Sequence, residues 1–194
     1  MRNYILFCFG LTALLWTSCG KNQAPVKPEV VELTGEQLVK KGEYLVTIMG
    51  CNDCHSPKKM GPNGPEVIPE LMLSGFPADR KLPEVDKESI KKGWAMLNED
   101  MTAAAGPWGV SFAANLTSDP TGIGNWTEEN FKRALKEGKF KGLPGTRTLL
   151  PPMPWFNYTN ISDEDVKAIF AYLKSTNPVR NVVPAPIVPD GQGM

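Results

Sequence analysis

The 194 residues carry 21 Lys and Arg against 21 Asp and Glu, a formal net charge of zero, and 41% of them are apolar. That length suits one domain with its own core, and the balanced charge excludes nucleic-acid binding through a bulk positive field. With one histidine and four cysteines in the chain, metal centres built from several histidines are excluded as well.

In chain order, Arg2 precedes a predominantly apolar run of 13 residues from Tyr4 to Trp16. A membrane-spanning helix needs roughly 17 to 25 such residues, so residues 1–18 read as an export signal. Thr17 and Ser18 before Cys19 resemble a bacterial lipoprotein processing site, although Trp16 stands where leucine is usual. Cys19 is therefore the expected lipidation site, which would place the protein in the bacterial cell envelope as an exported, periplasm-facing lipoprotein; ordinary cleavage that discards Cys19 or leaves it free is the alternative. Residues 19–32 are polar and carry prolines, as a tether would.

Thr34, with Gln37 three residues on, forms a capping-box pattern. Leu38, Gly42, Leu45 and Met49 follow at helical spacing. That helix leads into Cys51-Asn-Asp-Cys54-His55. A C-x-x-C core serves dithiol exchange, zinc coordination or covalent attachment of haem c, and only the last requires the histidine that follows. Cys51 and Cys54 are accordingly assigned as the thioether attachment points of one haem c, bonded to its two vinyl groups, and His55 as the axial ligand beneath its iron. Tetrahedral zinc is short of ligands, because the other cysteines, Cys8 and Cys19, lie in or at the end of the export signal. A redox disulfide lacks the βαβ surroundings that usually accompany it. No second C-x-x-C-H exists, so the chain can carry a single covalent haem.

Beyond the motif, residues 56–86 and 101–125 have many Gly and Pro and almost no periodicity, and they are expected to be surface loops. Between them a weaker helix is expected over Lys87 to Leu97, with Ile90, Trp94 and Leu97 on one side. Asn115, Thr117 and Asp119 read as turn formers bonding nearby backbone, with haem propionates as the alternative partner. Thr127 caps a third helix with Phe131, Ala134 and Leu135 on its apolar face, ended by Gly138. Lys58 and Lys59, and later Lys132, Arg133, Lys136, Lys139 and Lys141, are clusters that would either ring an exposed haem edge and steer an acidic redox partner or form solvated faces. Ser162 opens the last helix, with acids in its first turn and Val166, Ile169, Phe170 and Leu173 along the buried stripe. Pro178 closes it, and residues 179–194 form a Pro-rich tail.

With His55 the only histidine, a bis-histidine haem is excluded. Methionine is the next candidate for the opposite axial position. Met153 stands among prolines at 151, 152 and 154, which restrict their own φ and the residues before them. A stiff loop can present a weak thioether ligand without a large ordering cost. Met153 is favoured on that ground, with Met72, Met96 and Met101 still open. Trp126, Trp155 and Tyr158 are expected either to pack on the porphyrin or to fill the core.

The stretches "CNDCH", "GPWGVSFAANLTSDPTGIGNWTEENFKRAL" and "LLPPMPWFNYTNISDEDVKAIFAYLKS" resemble bacterial c-type cytochromes of the class I type, including cytochrome subunits of membrane-associated dehydrogenases. The resemblance implies an all-α fold around one haem, residues 33–178 as the cytochrome domain, and His55 and Met153 as axial ligands. It also implies that the first and last helices cross closely, with Gly42 and Tyr172 at the crossing. Relatives with two or three such domains are common, so a single domain suggests a separate small carrier. The expected function is one-electron transfer rather than catalysis. A dehydrogenase or quinol oxidant would be the donor, a cytochrome or terminal oxidase the acceptor, and a lipid the membrane anchor. An open iron acting as an enzyme or gas sensor, and a structural lipoprotein with a Cys51–Cys54 disulfide, are the competing readings.

Overall fold

The computed structural model describes residues 33–189. The expected export signal, the Cys19 lipidation site, the whole tether and the last five residues of the tail lie outside the described residues. The helices are α1 (Gly35–Ile48), α2 (Cys51–His55), α3 (Lys87–Lys91), α4 (Glu128–Glu137) and α5 (Asp163–Ser175).

The three longer helices begin where their caps predict. Thr34 and Gln37 satisfy each other's backbone N–H groups at the start of α1, Thr127 and Asn130 do the same for α4, and the Ser162 hydroxyl accepts from the Asp165 amide at α5. Gly138 ends α4 with a left-handed φ of 65°. Val46 of α1, Phe131 and Leu135 of α4, and Val166, Ile169 and Leu173 of α5 meet Leu73 and Ile123 in one core.

The expected crossing of α1 and α5 is present, and its closeness explains Gly42. A Cβ there would overlap the Ala168 carbonyl oxygen and fall 2.7 Å from the Tyr172 Cβ. Both contacts are with main-chain or near-main-chain atoms that cannot swing aside. Gly42→Val is expected to cost about 3 kcal/mol by forcing the helices apart, measured by chemical denaturation of the holoprotein. Gly35→Ala is the control: nothing lies within 4 Å of that position, so the gain in helix propensity leaves stability unchanged or slightly higher.

Three expectations need correction. Helix α3 stops at Lys91 rather than Leu97, because Gly93 turns the chain with a φ of 95°, and Trp94 is left largely exposed. The segment after the C-x-x-C-H motif is not all loop: β1 (Lys58–Gly61) and β2 (Gly64–Val67) form an antiparallel hairpin closed at Gly61 and Gly64. Pro62 and Asn63 are the two turn residues between them, and the Gly61-Pro62-Asn63-Gly64 run was the available turn signal. Finally, β3 (Met96–Leu97), β4 (Ala103–Gly106) and β5 (Gly109–Phe112) make a three-stranded antiparallel sheet in the order β3-β4-β5. Every residue of β4 is buried, so no inside–outside alternation marks it. The domain thus combines helices with two small sheets, a departure from all-α that remains compatible with a class I cytochrome fold.

The tail wraps the body over the residues described. Ile187 exchanges both backbone hydrogen bonds with Val110 of β5, at 2.7 and 2.9 Å. Asn115 donates to the carbonyls of Val179 and Asn181 and to Thr121, and accepts from the Thr117 amide and hydroxyl. Its two amide hydrogens and its oxygen are thereby engaged within the protein, as the turn-former reading expects.

Candidate functional site

Gly50, with φ 68°, makes the left-handed step between α1 and α2 that turns the short Cys51–His55 helix inward. This helix forms one wall of a cavity of about 360 Å³. Leu149, Leu150, Pro152 and Met153 form a second wall; Ala103 and Ala104 of β4 with Phe112 and Ala113 lie along the sheet side. Phe131, Leu135, Ile169 and Leu173 complete the cavity from the core. The walls are overwhelmingly apolar, as a planar macrocycle buried among side chains requires.

The two thiols are free and partly buried. Burial pushes Cys51 up to about 11, and burial likewise raises Cys54. A dithiol poised for exchange has the opposite tuning, since reactive cysteines have depressed pKa values. Zinc is disfavoured too: among the described residues no group of three His, Cys, Asp or Glu is placed to hold a metal ion.

His55 lines the same cavity, and its Nδ1 lies 2.8 Å from the Ala114 carbonyl oxygen. A carbonyl only accepts, so Nδ1 donates and carries the proton, which leaves Nε2 with the lone pair. Burial holds the imidazole below its ordinary pKa, against the raising effect of the Ala114 bond, and the nearby Lys58 charge lowers it further. A neutral imidazole held by a backbone acceptor is the form in which histidine binds metals.

Met153 is half-buried and lines the same cavity as His55. The Ser111 hydroxyl donates to the Pro151 carbonyl at 2.5 Å, and the Met153 amide donates to Leu150 at 3.3 Å. The Trp155 ring lies directly against Gly138, where a Cβ would overlap it. Proline constraint is thus joined by tertiary anchoring on both sides. Of the other methionines considered, Met101 also lines this cavity, whereas Met96 lines a separate groove and Met72 lines neither. Trp126 and Tyr158 face the cavity; Trp155 supports the loop behind it.

Two features escaped the sequence reading. Lys58, only 9% exposed, is no docking lysine: its Nζ donates to the carbonyls of Asp53, Ser56 and Asp100 at 2.6, 3.0 and 2.9 Å. The signal was Pro57 beside it, which breaks the helical hydrogen-bond pattern. Asp100 is also buried, and accepts from the Lys58 amide, Thr102, Asn98 and Arg80. Burial alone would raise its pKa, but the bonds from Thr102 and Arg80 outweigh that and hold it below the usual carboxylate value.

The later basic cluster divides. Lys132 and Lys136 pair with Asp163, and Arg133 with Glu129. Lys139, Lys141 and Arg147 have no carboxylate partner among the described residues. Arg147 lies 4.1 Å and Lys141 5.6 Å from the Phe140 ring centroid, on the chain that leads into Leu149, Leu150 and Met153.

Among the described residues no helix is long and apolar enough to cross a membrane. The sequence model of the family Cytochrome c matches residues 39–177. Over 175 residues the chain is 42% identical to a nicotinate dehydrogenase component of Pseudomonas putida, covering 90% of this chain and 11% of that protein. It is 32% identical over 138 residues to the gluconate 2-dehydrogenase cytochrome c subunit of Pantoea cypripedii, covering 71% and 23% respectively. With the fructose dehydrogenase cytochrome subunit of Gluconobacter japonicus the identity is 37% over 164 residues, covering 84% and 26%. The chain therefore spans between 11% and 26% of the length of these relatives. Membership of such a family implies covalently bound haem c and electron transfer through it, and the Cys51–Cys54 pair with His55 fits the attachment motif. From the C-x-x-C-H helix, the apolar cavity it walls and the match over residues 39–177, the chain belongs to the cytochrome c family.

Proposed function

We propose that the protein is an electron-transfer cytochrome whose single haem is tethered by Cys51 and Cys54 and ligated axially by His55 and Met153. The observation that carries this reading is that all four side chains line one apolar cavity. The haem supplies a one-electron couple, and a thioether with an apolar pocket raises its potential relative to bis-histidine ligation. The chain's own residues hold the imidazole in one tautomer, brace the Met153 loop and exclude water. Asp53 is the only carboxylate among the lining residues, and it is exposed. Among the lining residues His55 is the one imidazole and Asp53 the one carboxylate, and engagement of His55 at the iron supports electron transfer over proton-transfer catalysis.

The names of the relatives support a dehydrogenase as the electron donor; a quinol oxidant is the alternative donor, and a cytochrome or terminal oxidase is the acceptor. Export followed by lipidation at Cys19 would hold the protein at the periplasmic side of a membrane. Lys139, Lys141 and Arg147, without carboxylate partners among the described residues and close in the chain to the Met153 loop, favour partners with an acidic surface.

Two measurements on the purified holoprotein test this reading. Potentiometric titration is expected to fit a single one-electron step, and the reduced protein is expected to bind carbon monoxide slowly or not at all. Rapid carbon monoxide binding by the wild type would favour the enzyme or gas-sensor reading instead.

A further inference from the structure

The carbonyl of Asp53, inside the C-x-x-C-H helix, would ordinarily accept from the amide four residues on. That residue is Pro57, which has no N–H. The Lys58 ammonium takes its place, at 2.6 Å from the Asp53 oxygen, and also binds the Ser56 carbonyl. Its third bond reaches the Asp100 carbonyl, in the loop whose next residues, Met101 and Thr102, line the haem cavity. Three acceptors use all three donors of a protonated ammonium, and a neutral amine could not supply them. Cations at a helix C-terminus are favoured by its exposed carbonyls and dipole.

The charge count around this point is uneven. Among the buried and half-buried groups, Lys58 and Arg80 are positive and Asp100 is negative, so the Arg80–Asp100 ion pair leaves Lys58 as the buried excess charge, with the Asp53 carboxylate acting on it only from an exposed, solvent-screened position. The ammonium is buried against the carbonyls of Asp53 and Ser56, which bracket Cys54 and His55 in the chain, and salt screens a buried charge little.

We propose that Lys58 is a positioning residue for the haem: it clamps the attachment helix to the 98–102 loop and holds a fixed positive charge beside the haem, which favours the ferrous state and keeps the reduction potential up. A nearby cation destabilises the oxidised, more positive iron by simple Coulomb repulsion. The proposal rests on haem attachment at Cys51 and Cys54.

The test is potentiometric titration of the wild-type holoprotein and of Lys58→Met, Lys58→Arg, Lys59→Met and Asp100→Asn, each checked for covalent haem on a stained denaturing gel. Lys58→Met, which keeps the stem and removes the charge, is expected to lower the potential, and the shift persists at high salt. Lys58→Arg is expected to stay near wild type. Lys59→Met removes an exposed lysine next door and leaves the potential almost unchanged. Asp100→Asn removes a negative charge and raises it. Opposite signs for Lys58→Met and Asp100→Asn separate an electrostatic role from loosening of the pocket, which would move both potentials the same way. Shifts of the same sign, or no shift in haem-loaded Lys58→Met, would overturn the proposal. If Lys58→Met yields no holoprotein, Asp100→Asn decides: an unchanged or lower potential overturns it. Absence of haem from the wild type would sink the attachment reading instead, a result distinct from either of these.

Discussion

Replacing both Cys51 and Cys54 by alanine is expected to abolish the haem-stained band and, with it, the folded domain. Phe131, Leu135, Ile169 and Leu173 belong at once to the hydrophobic core and to the cavity wall. Without a ligand between them, the core has a hole of about 360 Å³. At roughly 24 cal/mol per Å³ a sealed void of that size would cost on the order of 9 kcal/mol, an upper bound for a cavity that opens to solvent on one side. Even a good part of that cost is comparable with the whole stability of an ordinary domain, about 5 to 15 kcal/mol. The haem therefore supplies core as well as chemistry. Far-UV circular dichroism and limited proteolysis of the double variant, expressed alongside the haem-attachment machinery, would show lost helix and rapid cleavage. A well-folded, protease-resistant double variant would show that the polypeptide closes its own core.

Met153→Ala is expected to act on the iron rather than on the fold. Met153 is half-buried at the cavity edge, and its loop is held by Ser111, Trp155 and three prolines that the substitution leaves in place. The variant should keep its covalent haem and helix content. It should lose the long-wavelength thioether-to-iron absorption band of the oxidised protein, fall in potential, and bind carbon monoxide quickly once reduced. Met101→Ala is the informative partner, because Met101 lines this cavity while Met72 and Met96 do not, and Met49, which also lines it, stands two residues before Cys51, too near the attachment motif to reach the opposite face. Retention of the band in Met153→Ala and its loss in Met101→Ala would reassign the ligand.

Where local chemistry suffices, the sequence was legible. The caps at Thr34, Thr127 and Ser162 are made by groups three residues apart, and the left-handed Gly138 ends its helix by a local rule; each helix boundary they mark is the observed one. The C-x-x-C-H motif is equally local, since its spacing follows from one turn of helix. The failures have a common cause. Residues 103–106 look featureless because β4 is covered on both faces, with Ala103 and Ala104 shared between the haem cavity and a second groove. The expected helix past Lys91 had a plausible apolar stripe, but Gly93 turned the backbone and Met96 paired with Ala105 across a sheet that periodicity could not anticipate.

The charged residues make the same point more sharply. Lys58 and Lys59 are neighbours with identical chemistry, yet one is buried on three carbonyls and the other is exposed. In the later cluster, Lys132 and Lys136 are neutralised by Asp163, 27 residues or more away in the chain, while Lys139 and Lys141 are not. The haem attachment motif and the caps and apolar faces of the long helices could be read from the order of residues, because each depends on groups within a turn or two of one another, whereas Gly42 at the helix crossing came from the resemblance to a known family. Which methionines reach the cavity, which lysines find carboxylates, and where the Lys58 charge sits emerged with the folded chain, because these depend on distances between remote segments brought together by burial, which leaves no local pattern to read.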